Sequence, residues 1–166
     1  MRHIISILMA NEAGALSRVA GMFSARGYNI ESLNVAPTQN PVVSRLTMVT
    51  TGSDAVIDQI NKQLRKLVDV VDVADLTGGA HIEREVLLLK LDLPAEDVDS
   101  QQATVRSLGG EVLDDTPGSF TVELTGTGAE LDDAVGRLAE HGRLVELVRS
   151  GAAAMACGTT ALKIPQ

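Results

Sequence analysis

The 166 residues suit one ordinary domain or two small ones of roughly 80 residues each. With 45% apolar but only 2% aromatic residues, any core must be built from Val, Leu, Ile, Ala and Met. The formal charge of −8 comes with scattered Lys and Arg, so neither a basic stripe nor an aromatic platform marks a nucleic-acid surface, and that partner is not expected.

Residues 3–9 form a short apolar run that reads as a strand. Arg2 ahead of it and "AGA" behind it resemble a signal peptide. The run is short for one, however, and Asn11 and Glu12 interrupt before the small residues. Leu16, Val19, Ala20 and Phe23 recur at helical spacing, which predicts an amphipathic helix over Ala15–Ala25, stopped by "RGYN". Ile30–Ala36 and Val43–Thr50 are β-rich runs joined by the turn "PTQNP". Val56, Ile60, Leu64 and Leu67 mark a second helix, and Val70–Leu76 a fourth strand.

"TGGAH" breaks the chain and the pattern begins again. Val86–Leu93 reads as a strand and Val98–Leu108 as a weaker helix. Glu111–Asp114 and Phe120–Leu124 are strands around the turn "DTPGS". Leu131, Ala134, Val135 and Leu138 mark a helix, and Leu144–Val148 closes the set. The expected fold class is therefore α+β: two tandem βαββαβ domains, each an antiparallel four-stranded sheet with two helices on one face. The boundaries are expected at 1–77 and 85–166, with 78–84 as linker. The tail, 150–166, is small and apolar and has no readable place within the second domain.

Catalytic chemistry finds little to stand on. His3, His81 and His141 lie far apart, and none shares a window with Cys157 or a carboxylate pair at ligand spacing, so no metal site is expected. The sequence has no G-x-S-x-G, no GxGxxG and no Walker loop. "TGTG" at 125–128 reads as a strand-to-helix turn. Asp114–Asp115 and Asp132–Asp133 suit turns and first helical turns. Acylphosphatases share the βαββαβ order but need an arginine in the first loop. Here that loop is Ala10–Gly14, and Arg18 lies a turn into the helix. The lone cysteine allows no internal disulfide and suits a reducing cytoplasm, and no apolar run is long enough to span a membrane.

One loop stands out. A helix N-terminus offers unpaired N–H groups and about half a positive charge, and Gly14, at its mouth, lets a carboxylate approach the backbone. Asn11 either caps that helix or holds a ligand. A capped tight turn is the plain alternative.

"NEAGALSRVAGMFSARGYNIESLNVAPT" closely resembles the opening of the small, regulatory subunits of acetohydroxyacid synthase (acetolactate synthase), and "SRLTM", "QLRKLVDVVDV", "HIEREVLLLKL" and "LVELVRSG" extend the likeness over nearly the whole chain. Met9–Ala10 departs from a more usual aliphatic–acidic pair, and Cys157 stands where arginine is common. The resemblance implies ferredoxin-like domains, the first an ACT domain that binds amino acids. It implies no catalysis by this chain and no cofactor in it. Thiamine diphosphate, magnesium and FAD belong to the large catalytic partner subunit, which this chain activates and places under feedback inhibition by valine or another branched-chain amino acid. It further implies an effector site formed by Asn11, Gly14 and Ala15 of one chain with Asn29 and Ile30 of its dimer mate, where Leu16 and Ile30 are reasonable walls. In such a sheet the second strand is an edge, so two copies can pair along Ile30–Ala36 into a homodimer. A free-standing amino-acid-sensing regulator of transcription or transport, built from two such modules, is the alternative from another class.

Overall fold

The computed structural model describes residues 1–116 and 118–164. Pro117 of the predicted "DTPGS" turn, and residues 165 and 166 of the tail, lie outside the described residues. The chain divides into two units, Met1–Ile82 with Ala152–Gln166, and Glu83–Gly151.

The first unit runs β1 (Arg2–Ala10), α1 (Ala15–Ala25), β2 (Ile30–Pro37), β3 (Val43–Thr51), α2 (Asp54–Leu64) and β4 (Val70–Asp75). Its strands lie in the order β2-β3-β1-β4, all antiparallel, so β2 is an edge as expected. One face of the sheet carries the helices. Ile5, Ile7, Leu46 and Met48 pack there against Val19 and Phe23 of α1 and Ile57, Ile60 and Leu64 of α2. The buried stripe of α1 is Ala15, Val19, Met22 and Phe23, which rotates the predicted face. Leu16 is left 39% exposed instead of joining the core. The helix ends where Gly27, at φ +68°, enters the left-handed region and Tyr28 N–H returns to the Phe23 carbonyl, 3.0 Å away.

The second unit repeats the plan with β5 (His81–Asp92), α3 (Val98–Ser107), β6 (Glu111–Thr116), β7 (Ser119–Gly126), α4 (Gly128–Ala139) and β8 (Arg143–Arg149), in the order β6-β7-β5-β8. Leu87, Leu89, Phe120, Val122, Leu131 and Leu138 are among its core residues. "TGTG" is the expected strand-to-helix turn. Thr127 caps α4 through a reciprocal box in which Glu130 accepts from Thr127 N–H at 2.7 Å.

Two expectations about boundaries are corrected. The first strand of the second repeat starts at His81, within the residues taken as linker. The tail from Ala152 belongs with the first unit rather than the second. It forms β9 (Ala153–Ala156), which pairs with β5, a strand that starts inside the first unit. Ala152 and Ala154 pack on Ile4, Val49 and Leu76, on the sheet face opposite the helices. The small residues of "GAAAMACG" have their reason here, because only short side chains let a strand lie this close on a sheet. Covered on both faces, β1 has seven consecutive buried residues, His3–Met9, which explains why five of the seven are apolar with no polar alternation.

Candidate functional site

β1 ends at the loop that the sequence singled out, and the loop is tied down on two sides. Asn11 N–H donates to the Val42 carbonyl and Asn11 Nδ2 to the Pro41 carbonyl, both at 2.8 Å, which joins it to the β2–β3 turn. Ala10 N–H donates to the Asp69 carbonyl at 2.8 Å, which joins it to the start of β4. Asn11 therefore anchors the loop and does not cap α1. Gly14 is the N-cap, at φ +88°, and no side chain caps the helix. A side chain at this φ is strained. Ala15 N–H reaches the Glu12 carbonyl at 3.2 Å. Helix geometry leaves the N–H groups of Leu16 and Ser17 without an intrahelical partner, and no acidic residue lies in the first turn to offset the positive end of the dipole.

A charged pair that the sequence did not reveal completes the loop. Arg18 Nη2 donates to Asp69 Oδ1 at 2.8 Å, and Arg18 Nε donates to Asp69 Oδ2. The Asp69 side chain is only 7% exposed. Hydrogen bonding to Arg18 holds the Asp69 carboxyl below the usual carboxylate range, and the same bond raises the Arg18 pKa. The third guanidinium nitrogen, Nη1, lies 2.8 Å from where a Cβ on Gly14 would stand, so the arginine lies over the glycine. The partners are 51 residues apart, which no local pattern signals.

The pair makes a pH prediction. Because the folded carboxyl is the more acidic, its contribution to stability is complete above the ordinary aspartate range and is lost as pH falls through the folded value. Asp69→Asn should therefore lower the thermal midpoint at pH 7, and the gap from the native chain should close below pH ~4. Midpoints measured from pH 7 down to acid would count against the pairing if the gap stayed constant.

Asn29 and Ile30 lie at the other end of α1. The Asn29 carbonyl accepts from Thr50 Oγ1 at 2.5 Å, and Ile30, the first residue of β2, is in register with Thr50. Asn29 is exposed. The helix between spans 11 residues, about 16 Å at 1.5 Å per residue. A single chain thus brings together Asn11, Gly14, Ala15 and Leu16, and keeps Asn29 and Ile30 apart from them. Among the described residues no group of three or more His, Cys, Asp or Glu could hold a metal ion, and no helix is long and apolar enough to cross a membrane.

Residues 5–72 match the model of the acetohydroxyacid synthase small subunit-like ACT domain, and residues 84–158 that of the small subunit of acetolactate synthase. The chain is 46% identical over 158 residues to the acetolactate synthase isozyme 3 small subunit of Escherichia coli K12, covering 95% of this chain and 97% of that one. It is likewise 46% identical over 151 residues to the acetolactate synthase small subunit of Haemophilus influenzae, covering 91% and 93%. Among solved structures, the acetolactate synthase small subunit of Thermotoga maritima superposes with a TM-score of 0.86 at 31% identity, covering 96% of this chain and 99% of that one. With its two ferredoxin-like units and its ACT-domain loop, the chain belongs to the acetolactate synthase small-subunit family.

Proposed function

We propose that this chain is a non-catalytic regulatory subunit. It raises the activity of a large catalytic subunit, which carries thiamine diphosphate, magnesium and FAD, and makes that activity sensitive to valine or another branched-chain amino acid. The setting is the cytoplasmic synthesis of those amino acids. The reading rests on one observation above all: α1 opens on Gly14 with no side-chain cap and no acid in its first turn. An amino acid's carboxylate fits that end, where backbone N–H groups and the dipole favour an anion. Its ammonium fits carbonyl and asparagine oxygens, and its branched side chain fits Leu16 and Ile30. The second half of the pocket, Asn29 and Ile30, comes from another copy paired along the exposed edge β2.

The purified chain, supplied with the three cofactors, should form no acetolactate from pyruvate. Added to the large subunit, it should raise the rate severalfold and make it inhibitable by valine. Acetolactate formed by this chain alone, or a rate unmoved by its addition, counts against the proposal.

A further inference from the structure

On the sheet face away from the helices, the tail and the edge strand β4 border a cavity of about 760 Å³. Its size suits a small molecule, and its lining is mostly apolar, with Ala74, Leu76, Ile82, Met155 and Leu162 contributing. A cation also lines it. Arg45 stands on β3, in register with Leu8 of β1, and its side chain is half-buried. Nη2 donates to the Ala154 carbonyl at 2.8 Å. No carboxylate among the described residues pairs with this guanidinium. Burial pushes its pKa down from the ordinary value, the mark of a charge short of compensation.

Two acids also line the cavity, but both are engaged. Asp72 accepts from Val73 N–H at 2.8 Å and Lys163 N–H at 3.0 Å, with Arg65 at 3.6 Å. Asp75 accepts from Thr77 N–H at 2.9 Å. Leu8 is in register with both Arg45 and Asp72, on opposite sides, which sets those two backbones two strand spacings apart, roughly 10 Å. The arginine is the charge left to a ligand.

We propose that this cavity binds a small organic anion with an aliphatic body, an alkyl monocarboxylate, its charged end on Arg45 and its chain along Ala74, Leu76, Ile82 and Met155. A carboxylate supplies the counter-charge that the guanidinium lacks, in the bidentate geometry that arginine favours. The alkyl chain gains by leaving water. The site is separate from the loop at Gly14 and does not depend on what that loop binds.

Calorimetric titration of the full chain with butyrate, pentanoate and hexanoate tests it. Hexanoate should bind at one site per chain, and each added methylene should tighten binding about fourfold. Hexylammonium, of equal length and opposite charge, should not displace it. Arg45→Met keeps an unbranched apolar side chain and removes the charge, and should weaken hexanoate roughly 10- to 150-fold. Met155→Glu, which sets a carboxylate on the exposed wall, should weaken it as well and serves if Arg45→Met does not fold. Gly14→Asp should leave it unchanged. No hexanoate binding at millimolar concentration, displacement by hexylammonium, an affinity flat in chain length, native affinity in the folded variants, or loss of binding in Gly14→Asp would each overturn the assignment.

Discussion

Gly14→Asp should give a subunit that still activates the large partner but no longer responds to valine. The substitution acts twice at one point. Gly14 stands at φ +88°, where an L-residue costs about 1–2 kcal/mol, with aspartate among the better tolerated. Its Cβ would also come within 2.8 Å of Arg18 Nη1. That guanidinium must then shift or pair with the new carboxylate. Either way, a fixed negative charge occupies the place proposed for the effector's own. Losing one charge-assisted contact costs about 1.5–3 kcal/mol, or roughly 10- to 150-fold in affinity, and repulsion adds to it. Gly14→Ala is the control, since it brings the strain and the bulk without the charge. Calorimetry with valine on the three proteins reads the effect. Equal affinities for glycine and aspartate would put the effector elsewhere.

Mixing two crippled subunits should restore valine binding. Gly14 and Asn29 bracket α1, whose length of about 16 Å exceeds the reach of a free amino acid. If both positions contribute, two chains must supply them. One chain carries Gly14→Asp and the other Asn29→Ala, so each homodimer has two damaged sites. In the mixed dimer one site holds both lesions and the other holds none. A differently tagged pair, exchanged and purified as the mixed dimer, should recover one high-affinity site of two. A pocket held within one chain predicts no recovery, because every chain carries a lesion. Calorimetric stoichiometry near one site per mixed dimer, against none, decides between them.

How far the sequence can be read depends on how far apart the interacting residues are. The limits of α1 are legible because Gly14 and Gly27, both left-handed, stand at its two ends. Edge position for β2 follows from the βαββαβ order. The first residues of β5 defeat the period-two rule, because Glu83 and Glu85 point inward and the apolar Ile82 outward. Glu85 is tolerable there because Arg149 Nη2 reaches it at 2.7 Å and Gly151 N–H at 3.0 Å. Those partners lie 64 and 66 residues further on. The tail fails for a different reason. Its alanines carry no period strong enough to mark a strand, and their smallness makes sense only against the sheet they cover. In the candidate site, Gly14 is visible as a glycine after a strand and before a helix. The Arg18–Asp69 pair is visible only once the chain has folded.

Since Ala152 and Ala154 complete the face formed by Ile4, Val49 and Leu76, the first unit is finished by residues that a ribosome makes after the whole of the second. Residues 83–151 have all emerged before the strand that covers the first sheet exists. Until then Ile4, Val49 and Leu76 lack that cover on the nascent chain. The central segment has β5 to β8 in hand earlier, lacking only the pairing of β9 on β5, and is free to fold ahead of it. Topologically it is an insertion in the first unit, whose two pieces meet only after the inserted segment has been made.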